Sequence, residues 1–182
     1  MSDEFLNLIR ARRTARAFTD QTISERELDL LLEAAMEAPT RLNRQPWRFV
    51  VVRDKELQGE LAEILRVRPY LEQADTVIVA AADTQTSPVW LMDVSAAIEN
   101  LLLAATALGL GGAWVGAPET VVWQILEERL RDRLQLPPTV KPVALVALGH
   151  PADPLPPHTA NERFDRAKVH YGVWGNQKLQ PR

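Results

Sequence analysis

The sequence contains no cysteine, and that absence removes several chemistries at once. Disulfide frameworks, thiolate-ligated zinc, iron–sulfur clusters and thiol nucleophiles are excluded. Histidine is nearly as scarce: His150, His158 and His170 are scattered through a proline-rich stretch. No H-E-x-x-H occurs, which argues against a metal centre. A dominant charge is missing too. The net charge of -3 provides no field that would draw in nucleic acid or an anionic membrane, and the aromatics do not interleave with the basic residues as in nucleic-acid binders. Long apolar runs are also lacking. The longest candidate, 96–115, holds Glu99 and Asn100 and ends among glycines, so no membrane span is expected. Asp3 and Glu4 stand where a secretory signal needs bases, and a cytoplasmic protein is expected. There is no G-x-S-x-G elbow and no Walker A loop. The glycines of 109–116 do not spell G-x-G-x-x-G and follow a helical pattern rather than a strand, which argues against an integral Rossmann site.

What is present fits one domain of 182 residues with a full hydrophobic core. Phe5, Leu8, Ile9 and Arg12 share one side of a first helix. Ser24 with Glu27 forms a capping box, and Leu28, Leu31, Leu32 and Ala35 follow at helical spacing until Pro39 stops the helix. Trp47 to Val52 reads as a strand, Leu57 to Leu65 as a short helix, and Thr76 to Ala82 as a strand buried on both faces. Asp93 to Leu108 gives the strongest helix. Its small residues invite close packing against another helix, and Gly109 suits its C′ position. Ala113 to Val115 is a short extended segment. Glu119 to Leu134 is an amphipathic helix with Val122, Ile125, Leu126 and Leu130 inward, and Pro142 to Leu148 is a last core strand with the proline at its start. Helices and strands are interspersed without regular βαβ alternation, so the class expected is α+β. Beyond Pro151 the prolines make a stiff connector to a tail carrying Phe164, Tyr171 and Trp174, an arm too small to fold alone and therefore tied to its own domain or to a partner.

Two segments carry chemistry. Arg12, Arg13, Thr14 and Arg16 put fork-shaped donors and a hydroxyl within one helical turn and its exit, a set suited to a phosphate monoester. The same run also reads as a solvated basic helix end complementing the macrodipole, which is the commoner case for such a run alone. The second segment, Ala38-Pro39-Thr40-Arg41-Leu42-Asn43-Arg44-Gln45-Pro46-Trp47, reads by itself as a helix stop and a polar loop entering a strand.

Taken together and in order, Arg12-Arg13-Thr14-Ala15-Arg16-Ala17-Phe18 and Ala38 to Trp47 resemble the nitroreductase family of flavoproteins. Two later stretches agree: Asp93 to Ala105 running into Gly109 to Gly116, and Leu148-Gly149-His150-Pro151. Arg163, His170 and Trp174 resemble the family's C-terminal arm. The resemblance implies a nitroreductase-like fold: a central, mostly antiparallel sheet flanked by helices, in an intertwined homodimer with FMN at the subunit interface. It implies one domain over 1–182, with 151–182 as an extended arm. Arg12, Arg13, Thr14 and Arg16 would bind the phosphate and near side of FMN, with Arg163 as a further cation. Pro39, Thr40, Arg41 and Asn43 would come from the opposite subunit, and Gly112, Ala113, Trp114 and Val115 would run beside the isoalloxazine ring, where a peptide N–H can reach N5.

The chemistry implied is the cofactor's. Hydride from NADH or NADPH enters at flavin N5 and leaves to an electron-poor small molecule, a nitroaromatic, a quinone or similar, by a ping-pong mechanism, with no side-chain acid, base or nucleophile. The stretch 65–72 is more compact than in many family members, with Arg66 and Arg68 as candidate replacements at the flavin's pyrimidine edge. Thr84 to Trp90 is too short for a large lid. Other readings are a specialised flavin enzyme of the same fold, such as a dehalogenase or a flavin-consuming enzyme, and a non-catalytic FMN-binding protein.

Overall fold

The structure, a computed structural model, describes residues 2–66, 70–118 and 120–177. Strands β1 (Trp47–Val52), β2 (Thr76–Asp83), β3 (Gly111–Val115) and β4 (Val140–Gly149) form one antiparallel sheet in the order β1-β2-β4-β3. Around it lie α1 (Ser2–Ala11), α2 (Glu25–Met36), α3 (Lys55–Leu65), α4 (Tyr70–Gln73), α5 (Trp90–Ala107), α6 (Val121–Leu134) and the single turn α7 (Ala160–Arg163). This is the α+β arrangement expected, with helices on both faces of an antiparallel sheet.

The sheet has two cores because β2 and β4 are central and apolar on both sides. Ile78, Ala80, Ala82, Val146 and Leu148 join Leu31, Ala35 and the inner face of α5. Val77, Val79, Leu145 and Ala147 join Leu61, Leu71 and Leu126 from α3, α4 and α6. The two-residue period of a strand makes this division, and each fully buried Leu, Ile or Val contributes about 1.5–3 kcal/mol.

The capping box of α2 is formed as the sequence predicts. Ser24 Oγ accepts from the Glu27 N–H at 3.2 Å, while Glu27 Oε2 accepts from the Ser24 N–H at 2.8 Å and its hydroxyl at 2.6 Å. The Ser24 hydroxyl, and then its N–H, hold the Glu27 carboxyl below its ordinary pKa. By length and composition α5 could cross a bilayer, but Val94, Ala97, Ile98, Leu101, Leu102 and Ala105 are buried against the sheet and α2. The helix that its small residues accommodate is α2 of the same chain, and Asn100 Nδ2 donates to Ala34 O there at 3.1 Å.

Two expectations need correction. The inward stripe of α6 is Trp123, Leu126 and Leu130, whereas Val122 and Ile125 are exposed. The aromatic ring, 1% exposed, sets the helix phase because it buries the most area. Pro142 is not at the start of its strand. β4 begins at Val140, and Pro142 sits opposite Ala81 where the β2–β4 register shifts. The irregularity accommodates a residue with no N–H inside a central strand. The turns at 41–43 and 166–168 and the short α4 and α7 lack the length to produce a periodic pattern. Glu119, expected to open α6, lies outside the described residues.

Candidate functional site

The site is assembled along the outer edge of β3. After α1 the chain runs beside this edge: Thr14 bridges to Gly112, and the Ala15 N–H donates to Gly112 O at 3.1 Å. It then meets the segment after β4, with the Thr19 N–H donating to His150 O at 2.9 Å and the Ala152 N–H to Ala17 O at 3.0 Å. Alternation buries Ala15 and Phe18 and leaves Thr14 and Arg16 exposed.

Two glycines, Gly111 and Gly149, permit this close crossing, and a third, Gly112, lets the core pack closely beneath it. A Cβ on Gly111 would stand 2.5 Å from Ala15 Cβ, one on Gly112 would stand 2.7 Å from Leu102 Cδ2, and one on Gly149 would meet the Phe18 ring from 2.8 Å. Bare backbone there lets the arginine-bearing segment lie flat on the sheet edge.

The C-terminal arm closes the site from the other side. Arg12, Arg13, Thr14, Arg16, His158 and Arg163 line one cavity of about 170 Å³. Arg12, His158 and Arg163 also border a neighbouring cavity of about 580 Å³, floored by Leu6, Ile9 and Phe164. The arm is held by backbone: the His158 N–H donates to Arg10 O at 3.0 Å, and Arg13 Nη1 donates to Pro156 O. Arg12 Nε lies 3.5 Å from Glu99 Oε1. Among the described residues, neither Arg13, Arg16 nor Arg163 is ion-paired to a carboxylate. The four guanidiniums lining the smaller cavity outnumber the carboxylates beside them, Glu99 and Glu162, a balance that suits a phosphate monoester dianion in sign. His158 is the member that sequence reasoning missed. It occupies a proline-rich linker with no periodicity, and only the fold brings it to Arg12, Arg13 and Arg16.

The Ala38–Trp47 segment forms a separate structure. Pro39, Thr40, Arg41 and Asn43 line neither arginine cavity. Leu42, Asn43 and Gln45 all have φ near +50°, a conformation that costs a non-glycine residue about 1–2 kcal/mol. Such strain persists only where surroundings hold it, and it clusters at functional sites. Asp93, 4% exposed on α5, does the holding: Oδ1 accepts from the Arg41 N–H at 3.0 Å and Oδ2 from the Ser87 hydroxyl at 2.6 Å. Leu42→Gly should therefore raise stability by about 0.5–1 kcal/mol, or a few degrees in Tm. Calorimetry checks this. A fall in Tm would mean that the Leu42 side chain, 76% exposed in this chain, is buried on a partner.

Along β3, Ala113 and Val115 point into the core and only Trp114 is exposed. Side-chain contact to a ligand is thus confined to Trp114, and the other three positions offer backbone. Because Gly112 turns its carbonyl outward to Ala15, the Trp114 N–H faces outward on the same edge. Arg66 lies away from the arginine cluster, in a groove between α3 and α6 with Glu63, Val122 and Arg129. Arg68 lies outside the described residues.

Fold and cavity together define an α+β domain that presents a phosphate-sized cation pocket at a sheet edge. Relatives make the class specific. The model described as Nitroreductase family matches residues 9–69 and 65–150. A protein of Archaeoglobus fulgidus provisionally named NADH dehydrogenase/NAD(P)H nitroreductase is 37% identical over 94% of this chain and 99% of its own. FMN reductase [NAD(P)H] of Bacillus subtilis is 27% identical over 83% of this chain and 67% of its own. The solved FMN-dependent nitroreductase of Clostridium difficile superposes with a TM-score of 0.86 at 26% identity, over 93% of this chain and 99% of its own. The chain belongs to the nitroreductase family, an FMN-dependent NAD(P)H oxidoreductase family, as its motifs indicate.

Proposed function

We propose that this protein is a homodimeric FMN enzyme that passes electrons from NADH or NADPH to an electron-poor small molecule, such as a nitroaromatic or a quinone. The observation that carries the reading is the convergence of Arg12, Arg13, Thr14, Arg16 and Arg163 on one cavity. These residues fit FMN: they supply cations and a hydroxyl for its phosphate, and the glycine-lined edge of β3 gives its ring a close backbone approach. FMN held there would supply the hydride chemistry of its N5, and one shared face for donor and acceptor would make turnover ping-pong.

The chain's own task is to bind and orient. Gly112, Ala113, Trp114 and Val115 offer the ring an edge of peptide groups, with the Trp114 N–H turned outward. Pro39, Thr40, Arg41 and Asn43, rigidly presented yet apart from the arginine cavity, serve the site of the opposite subunit. Support for the dimer comes from unpartnered apolar surface on several elements: Phe5 and Ile9 on α1, Met92 on α5, and Val173 and Trp174 on the arm are all exposed. Trp174, 89% exposed, has His170 as its one ring partner among the described residues, with centroids 4.1 Å apart. Aromatic surface of this kind is typical of subunit contacts. We read 1–182 as one domain whose arm, from residue 151, passes over its own α1 exit and then docks on the partner. A cytoplasmic location fits the need for reduced nicotinamide.

The test is the visible spectrum of purified, desalted protein, repeated anaerobically with NADH or NADPH. The expected result is a retained flavin spectrum that bleaches. A flavin that stays yellow with both donors would favour the specialised or binding-only readings. A colourless protein that takes up no FMN would overturn the assignment.

A further inference from the structure

His158 does more than border the cavity. Its Nε2 lies 2.7 Å from Arg163 Nη2, and its Nδ1 lies 3.0 Å from Glu162 Oε2. A guanidinium has only protons to give, so Nε2 must be the acceptor. Nδ1 is then the ring's donor, to Glu162, so the two partners together set the tautomer. Glu162 is fixed in turn, because Oε2 also accepts from the Thr159 N–H at 3.2 Å in a second capping box. The hydrogen bond from His158, and then that from Thr159, hold the Glu162 carboxyl below its ordinary pKa. Ionised Glu162 therefore stabilises the arm above the ordinary carboxylate range, and this is lost as pH falls through the depressed value. The groups around the imidazole are the guanidiniums of Arg10, Arg12, Arg13, Arg16 and Arg163, the Glu162 carboxylate and, beyond Arg12, Glu99.

We propose that His158 is a positioning residue of the phosphate subsite: held by Glu162, it accepts from Arg163 and keeps that guanidinium in the arginine cavity. This rests on the FMN reading of the cavity. The need is physical. Arg163 stands on a one-turn helix in an otherwise irregular arm and has no carboxylate partner among the described residues. Left untethered, its long side chain would lose rotamer entropy on each binding event, and a pre-set guanidinium avoids that loss. Glutamine could replace the imidazole here, since its amide also accepts at one end and donates at the other, whereas alanine could not.

The proposal predicts selectivity rather than general binding. Full-length protein freed of flavin is titrated with FMN and with riboflavin, which lacks the phosphate, and both dissociation constants are read by fluorescence. His158→Ala should weaken FMN about three- to tenfold and leave riboflavin unchanged. His158→Gln should restore most of the FMN affinity. In an Arg163→Ala background, His158→Ala should have no further effect. A proton on Nδ1 should be visible in the imidazole nitrogen spectrum of the unmutated protein. Equal weakening of FMN and riboflavin, or full FMN affinity in His158→Ala, would overturn the positioning role. If the unmutated protein binds neither flavin, the FMN reading fails first and takes this proposal with it.

Discussion

Replacing Gly111 with alanine should cost the protein about tenfold or more in FMN affinity and about 1–3 kcal/mol in stability. The new Cβ would lie 2.5 Å from Ala15 Cβ, well inside van der Waals contact. Neither atom is the end of a flexible side chain. Gly111 is locked in β3 opposite Gly149, and Ala15 is locked by its N–H on Gly112 O. Only separation of the two backbones relieves the clash, and the residues flanking Ala15 are Thr14 and Arg16. The damage would therefore pass directly to the phosphate cradle. Ala15→Gly in the same chain removes the opposing carbon and should restore most of both quantities, leaving the tight contact with Pro151 Cβ at 3.3 Å, in a coupling that distant sites do not show. Gly59→Ala is the matched control. It lies within α3 with nothing within 4 Å of the added carbon, and should stabilise the helix by up to about 1 kcal/mol. Urea midpoints and FMN titrations on Gly111→Ala, Ala15→Gly, their combination and Gly59→Ala decide the matter. A Gly111→Ala protein with unaltered flavin affinity would show that the arginine segment does not depend on this crossing.

The same crossing shows what the sequence could and could not reveal. Strands β2 and β4 were legible because both of their faces are apolar, and α2 because its capping box and its leucines agree. The phase of α6 was misread because a stripe begun at Val122 looks as good by spacing as one begun at Trp123; volume, not period, decides between them. The Arg12–Arg16 cluster was visible as a charge run, but nothing local distinguished a ligand cradle from a solvated helix end. That distinction lies in two glycines about a hundred residues away and in an arm whose only signature is proline. For the same reason His158 gave no signal: its bonded partners, Glu162 and Arg163, are local, and the arginines that complete the cavity lie at the opposite end of the chain. The strained loop was legible only as turn chemistry, because positive φ at Leu42 and Gln45 runs against the preference of both residues. Where sequence preference and observed conformation disagree, something in the tertiary structure must supply the difference.

For that loop the supplier is Asp93, and Asp93→Ala should be strongly destabilising. Removing the carboxylate leaves the Arg41 N–H and the Ser87 hydroxyl without their acceptor in a nearly dry site, at a cost of about 2–3 kcal/mol. The loop is also tied elsewhere: the Asp83 N–H donates to Pro46 O at 2.8 Å, Arg44 Nη1 donates to Thr86 O at 3.0 Å, and Gln45 N–H to Thr40 Oγ1 at 3.2 Å. These bonds fix its exit and its waist. Asp93 accepts from the Arg41 N–H, at the entry to the left-handed residues, so without it the strain at Leu42 and Asn43 can relax. Asp93→Asn separates charge from shape. Its Oδ1 can still accept from Arg41, while its amide must donate to Ser87 and reverse that bond, so a smaller loss is expected. If the loop serves the partner's site, Asp93→Ala weakens FMN and riboflavin alike, because the loop is apart from the phosphate pocket; the arginine variants weaken FMN alone. Chemical denaturation paired with the two flavin titrations reads both effects. Full stability in Asp93→Ala would mean that the loop is held by something other than this carboxylate. Lost stability with both flavin affinities intact would mean that the loop is held rigid for a reason unconnected with the cofactor.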